Sequence, residues 1–286
     1  MDDHSLVQDI DTMLNMTANR RQSLRWLFAG AAALPLAGCG GGGSSTAAAA
    51  TATSADAATT PTTTTTSGSA AACSAIPEET GGPYPGDGTN SNVNGVANAL
   101  ILAGIVRSDI RSSIAGATGV AAGVPLTIKL QLVNVGASCA NIAGAAVYLW
   151  HCDRDGQYSM YSSGVTGENY LRGVQEADAS GIVTFKTIFP GCYAGRMPHV
   201  HFEVYPSLAR SMSASNRIKT SQFTFPMTTL NDVYASSGYA ASVRNLASIS
   251  YASDNVFSDG ISLQMVSVSG DVASGYVVTL TVGVSL

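Results

Sequence analysis

Charge is scarce in this chain of 286 residues: Asp, Glu, Lys and Arg together make up 12 %, and the net charge is -5. So little basic charge gives no field to gather nucleic acid, and that class of function is excluded first. A membrane-spanning run is also missing. The apolar stretch from Trp26 through Leu36 is too short to cross a bilayer well. There is no internal repeat, and helical patterning is limited to Thr229 to Ala235 and Ala240 to Ala247. Hydrophobic residues reach 45 %. Alanine supplies much of that, and the rest suffices for one sizeable core.

What is present begins with segments that are not fold. Asn19-Arg20-Arg21-Gln22-Ser23-Leu24 holds a twin-arginine pair, and the apolar run behind it ends in Leu36-Ala37-Gly38-Cys39. A basic region, a short apolar region and a small-residue cleavage site make an export signal, here of the route that carries folded proteins. Leu-Ala-Gly-Cys is similar to a bacterial lipobox. Residues 1–39 are therefore expected to be a twin-arginine signal peptide, with Cys39 the lipidated first residue of the mature protein; an ordinary signal peptide with a chance cysteine is the alternative. The acidic start leaves Met13 or Met16 as other initiators. Residues 40–72 are Gly, Ser, Thr and Ala with almost nothing large. They bury too little apolar surface to offset their ordering entropy, which predicts a disordered tether. The expected location is the cell envelope or periplasm, lipid-anchored.

From Cys73 onward short apolar runs alternate with clusters of Gly, Pro, Asn and Asp. The runs are Leu126 to Val135, Ala145 to Trp150, Ile182 to Phe185, Val200 to Tyr205, Ser221 to Phe225, Ile261 to Val268 and Tyr276 to Leu286. Many short strands separated by turns predict one all-β domain over 73–286, a β-sandwich. Leaving out Cys39, the cysteines are Cys73, Cys139, Cys152 and Cys192. An even number in an exported chain suggests disulfides, and three pairings are open. Cys73 with Cys139 is favoured because it pins the N-terminal arm. Cys152 and Cys192 are left as a second bridge, soft-metal ligands or packed thiols.

His199 and His201 flank Val200 and lead into Phe202, Val204 and Tyr205. On a strand, side chains two apart share a face, so both imidazoles project together. Pro190, Gly191 and Pro198 let a loop fold back over that face and bring Tyr193 to the same point. Two imidazoles, joined by phenolates, describe a metal site. Upstream, Val147 to Tyr158 reads as a buried strand ending in a turn at Asp155-Gly156, with Tyr158 just beyond.

At these residues a resemblance enters. Trp150, Asp155-Gly156-Gln157-Tyr158, Pro190-Gly191-Cys192-Tyr193 and Arg196-Met197-Pro198-His199-Val200-His201 resemble the intradiol ring-cleavage dioxygenases. Within them the chain looks most like the branch of the protocatechuate 3,4-dioxygenase β-subunit. Glu79 to Tyr84, Arg107 to Arg111 and Tyr170 to Gln175 are similar to that branch too, so the match spans 73–286. The resemblance implies the sandwich of that family and one non-haem Fe(III) per domain, held by Tyr158, Tyr193, His199 and His201. It implies cleavage of a catechol-type aromatic between its two hydroxyl-bearing carbons, with both atoms of O2 entering a muconate-type diacid. Tyr193 is then ligand and base, and Arg196 a fixed charge beside the ring. Asp153 and Gln175 are candidates for support around the ligands. Cys192 is a departure, since the family's loop more often has a bulky residue or proline there. There is no sign of a separate partner subunit, so self-association is the default.

Each residue also has a plainer reading. H-x-H pairs on strands are often structural, Tyr161 or Tyr170 are alternatives to Tyr158, and Arg196 has Glu203 as a possible surface ion-pair partner. Two other functions stay open: a tethered binder of ferric iron or catechols without turnover, and a structural module with an empty site. Consumption of O2 separates the first from an enzyme, and bound iron separates the second.

Overall fold

A computed structural model describes residues 73–286. The signal peptide, Cys39 and the linker of 40–72 lie outside the described residues. The strands in chain order are β1 (Asp87–Asn92), β2 (Gly95–Asn98), β3 (Pro125–Asn134), β4 (Ala140–Asn141), β5 (Ala146–Trp150), β6 (Arg172–Glu176), β7 (Ile182–Ile188), β8 (His199–Tyr205) and β9 (Lys219–Thr224). Helices α1 (Met227–Tyr234) and α2 (Ala240–Leu246) follow, then β10 (Ser267–Asp271) and β11 (Gly275–Val284).

Two sheets face each other. One has the order β6-β5-β8-β9, every pair antiparallel. The other runs β10-β11-β3-β4, with β7 also paired to β3, and β11 lies parallel to β3. The alternation of β3 explains the packing. Leu126, Ile128, Leu130 and Leu132 are buried and meet Val147, Leu149, Val200, Phe202 and Val204 of the opposite sheet in one core. The other face of β6-β5-β8-β9 therefore points away from the sandwich, and irregular chain covers it. There Tyr148, Trp150, Tyr158 and Tyr205 form a second cluster with Tyr84, Tyr161 and Tyr193 packed on it.

Cys73 and Cys139 are joined by a disulfide, which ties the start of the arm to the turn after β3. The arm then runs beside β9, with Glu79 N donating to Thr220 O at 2.9 Å and Gln222 Nε2 donating to Thr80 O at 2.8 Å. The helical segments lie within two residues of their expected bounds. One expected strand is corrected: Ile261 to Val268 is largely a turn, with Met265 N bonded to Ile261 O, and the strand begins at Ser267. That turn buries Gln264, whose Nε2 donates to Gln222 O at 2.9 Å. Among the described residues no helix is long and apolar enough to cross a membrane.

Candidate metal centre

Strand β8 fixes the first two side chains. His199, His201 and Glu203 alternate with Val200, Phe202 and Val204, so the apolar set enters the core and the polar set takes the outer face. The register sets His201 between Trp150 of β5 and Gln222 of β9. The Trp150 ring lies flat on His201, with centroids 4.9 Å apart and planes 3° apart. His199 Nδ1 donates to Met197 O at 2.6 Å, which turns the Nε2 lone pair of a neutral ring outward.

Tyr158 comes from the loop that follows β5. Asp153 shapes that loop: its Oδ1 accepts from Asp155 N and Gln157 N, both at 2.9 Å, and its Oδ2 accepts from Tyr170 Oη at 3.2 Å. Gly156 stands at φ +83°, and a Cβ there would meet Tyr193 Cβ at 3.0 Å. Only glycine lets the two tyrosine loops approach so closely. Tyr193 is carried by the loop between β7 and β8.

The four side chains converge on His199 Nε2. Tyr158 Oη is 3.4 Å from it, Tyr193 Oη 3.3 Å and His201 Nε2 3.0 Å. Ligands bound at about 2.0–2.1 Å with right angles between them sit about 3 Å apart, so these separations suit neighbouring ligands of one small cation. Burial, with Arg196 nearby, pushes the pKa of His199 well below its ordinary value. Burial, with His199 beside it, does the same to His201. Both rings are thus neutral and able to donate electron pairs. Burial raises the Tyr193 phenol to about 12, and burial with Tyr193 beside it drives Tyr158 well above the ordinary range. Two phenols this reluctant to ionise become phenolates beside a cation and not otherwise. His201 Nδ1 is buried without a hydrogen-bond partner. Among the described residues no three His, Cys, Asp or Glu side chains are grouped to hold a metal. The tyrosines must therefore complete any site here. Two hard oxygens with two imidazoles and no thiolate suit iron better than a soft metal.

Arg196 is buried at 1 % exposure, and its partner is Asp254, not Glu203. Its Nε donates to Asp254 Oδ2 at 3.0 Å and its Nη2 to Gln222 Oε1 at 2.7 Å, while Nη1 has no partner. Asp254 Oδ2 also accepts from Met197 N at 2.7 Å, and Oδ1 from Val256 N and Phe257 N. Asp254 and Gln222 hold the arginine and were missed in the sequence. Gln222 follows from pairing β9 in register with β8, whereas Asp254 lies in a loop with no local signal. Gln175 is not brought to the cluster. It pairs with Val147, on the face of the sheet opposite His201, and its Nε2 bonds Val174 O. Tyr161 and Tyr170 are engaged elsewhere, with Asn90 and Asp153. Cys152 and Cys192 are free, buried thiols. Burial raises both, Cys192 to about 12, and each Sγ donates to main-chain carbonyls, so neither is a thiolate ligand.

Glu203 continues the histidine face. Tyr205 Oη donates to its Oε2 at 2.6 Å. Burial raises its carboxyl from 4.5 to about 8, with Asp87 adding to the rise. Between these values the folded chain holds a proton that the unfolded chain has released. Stability therefore falls as pH rises from about 4.5 to about 8, by at most about 1.4 kcal/mol per pH unit. Unfolding by denaturant across that window should show the slope, and Glu203→Gln should flatten it. An unchanged slope in the variant contradicts this assignment.

Residues 107–213 match a family model described as Dioxygenase (Dioxygenase_C). The structure is similar to an intradiol ring-cleavage dioxygenase from Tetranychus urticae, at 25 % identity and TM-score 0.58, over 74 % of this chain and 95 % of that one. It also matches the dioxygenase domain of a dioxygenase–carbohydrate-binding fusion from Streptomyces sp. SirexAA-E, at 22 % identity and TM-score 0.46, over 74 % and 99 % of the two chains. No curated protein sequence matches the chain.

Proposed function

We propose that this chain is an intradiol ring-cleavage dioxygenase, that it holds one ferric ion on Tyr158, Tyr193, His199 and His201, and that it opens catechol-type rings between the two hydroxyl-bearing carbons. The observation that carries the reading is the convergence of two phenol oxygens and one imidazole nitrogen within 3.0–3.4 Å of His199 Nε2. The ion supplies the Lewis acidity and redox partnership that O2 chemistry on an aromatic ring requires.

The chain's own residues do the rest. Tyr193, half-buried and on a loop, would be the least rigidly held of the four ligands. With its phenol raised to about 12, its oxygen would be the base for a catechol proton. Arg196 lies beside both tyrosines, and its charge is fixed by Asp254 and Gln222. Its unpartnered Nη1 is a donor held ready for negative charge that develops on the substrate. Trp150, stacked on His201, and Tyr84, packed 5.0 Å from the Tyr158 ring, keep water from the ligands.

The test is O2 uptake. With the iron-loaded protein and catechol, one O2 should disappear per catechol, and a ring-opened diacid carrying both oxygen atoms should form. A catechol that binds and stays intact, with no O2 consumed, makes the protein a binder and contradicts the reading. Export accords with the same reading: the twin arginines at Arg20 and Arg21, the Leu36 to Cys39 sequence and the Cys73–Cys139 bridge all support an oxidising envelope location with Cys39 lipidated.

A further inference from the structure

Tyr193 differs from the other three members of the cluster. His199 and His201 are locked in a central strand, and Tyr158 is fully buried. Tyr193 is followed by an exposed turn at Ala194-Gly195, which restrains it little. On its N-terminal side the loop is held much more tightly.

There the main chain has no freedom left. Phe189 N donates to Val124 O at 2.8 Å, and Phe189 O accepts from Tyr239 Oη at 2.8 Å. Pro190 O accepts from Tyr234 Oη at 3.1 Å. Gly191 N donates to Asp153 O at 3.0 Å, and Gly191 O accepts from Cys152 Sγ at 3.5 Å. Cys192 N donates to Ser242 Oγ at 2.9 Å, and Cys192 O accepts from Asn245 Nδ2 at 2.7 Å. Every polar main-chain group from Phe189 to Cys192 is taken. Four of those bonds come from side chains on or beside α1 and α2. These two helices stand outside the sandwich sheets, and Tyr234, Ser242 and Asn245 on them, with Tyr239 just before α2, bond this one loop.

Hydroxyl and amide groups from short helices fix direction as well as satisfaction, because each has a restricted geometry. We propose that Ser242 and Asn245 are positioning residues for Tyr193: they hold the N–H and C=O of Cys192, the residue before it, so that the phenol oxygen is kept at the place where the metal would sit. The inference rests on the metal reading above. It adds that α2, far from the strand that carries the histidines, tunes one ligand of the four.

Four variants of the full chain test this, loaded with iron: Ser242→Ala, Ser242→Thr, Asn245→Asp and, as a control on the same helix, Val243→Ala, an exposed apolar side chain. Asn245→Asp keeps the shape and turns the donor into an acceptor, so it carries the test alone if Ser242→Ala does not fold. The readouts are iron per chain, the tyrosinate-to-iron absorption band, and kcat and KM for catechol. The expectation is unchanged iron, a band that moves, and a kcat reduced about 10- to 100-fold with KM changed less, since small misplacements of a reacting group cost on that order. Ser242→Thr, which keeps the hydroxyl, should recover the wild-type band. Val243→Ala should match wild type throughout. Ser242→Ala and Asn245→Asp proteins with wild-type band and kcat overturn the positioning role while leaving the metal reading intact. A wild-type protein that takes up iron without any tyrosinate band overturns both.

Discussion

His199→Ala loses iron and, with it, all turnover. The expectation comes from the place of His199 Nε2 in the cluster, because it is the atom that both phenols and the second imidazole approach. Removing groups that merely support a ligand costs about 10- to 100-fold in metal affinity, and loss of the ligand itself must exceed that. The fold should survive. The lost ring leaves Met197 O without its 2.6 Å donor, a cost of about 1–3 kcal/mol, and Val200 and Phe202 still anchor β8 in the core. Tyr193→Phe should behave differently. Three ligands remain, so iron is retained in part, but the base is gone and turnover falls with it. Iron quantitation together with thermal unfolding separates the two variants. Wild-type iron content in His199→Ala contradicts the site.

Asp254→Asn is expected to be strongly destabilising. Asp254 is wholly buried and faces Arg196, which is itself 1 % exposed. The amide fills the same space but leaves a buried guanidinium without its counter-charge. Breaking a buried pair in this way costs about 3–5 kcal/mol. It also disturbs the amides that the carboxylate holds, those of Phe257 and of Met197, the latter two residues from His199. The double variant Arg196→Met with Asp254→Asn should regain most of the stability, since no charge is then left unpaired, yet it should not regain turnover. Denaturant unfolding and O2 uptake on the four proteins of this cycle test both halves. Turnover at the wild-type rate in the double variant would remove Arg196 from the chemistry.

How far the site could be read in the sequence depended on the distance over which each signal acts. The H-x-H pair was legible because strand parity is local: His199 and His201 share a face whatever the sheet does. Tyr193 and Tyr158 were legible through turn residues beside them, Gly191 and Gly156, and through their resemblance to a family pattern. The partner of Arg196 was not. Glu203 is near in sequence, but at 203 the strand already points its carboxylate toward Tyr205 and Asp87, and the true partner lies 58 residues downstream. Gln175 was placed from a local match, and only the pairing of β6 with β5 shows that it faces away from His201. The hairpin β1–β2, Asp87-Gly88-Thr89-Asn90-Ser91-Asn92 and Gly95-Val96-Ala97-Asn98, has hardly any apolar residues. Its strands form by pairing and side-chain bonds such as Asn92 Nδ2 to Met160 O, which leave no periodic trace. The stretch from Ile261 to Val268 erred the other way, because its apolar residues bury through a turn.

The measurement that bears most directly on the account is a visible absorption spectrum of the purified protein with its iron counted, taken before and after catechol is added without O2. The account predicts one iron per chain and a tyrosinate-to-iron band that shifts when catechol binds. A colourless protein that takes up no iron on reconstitution contradicts it.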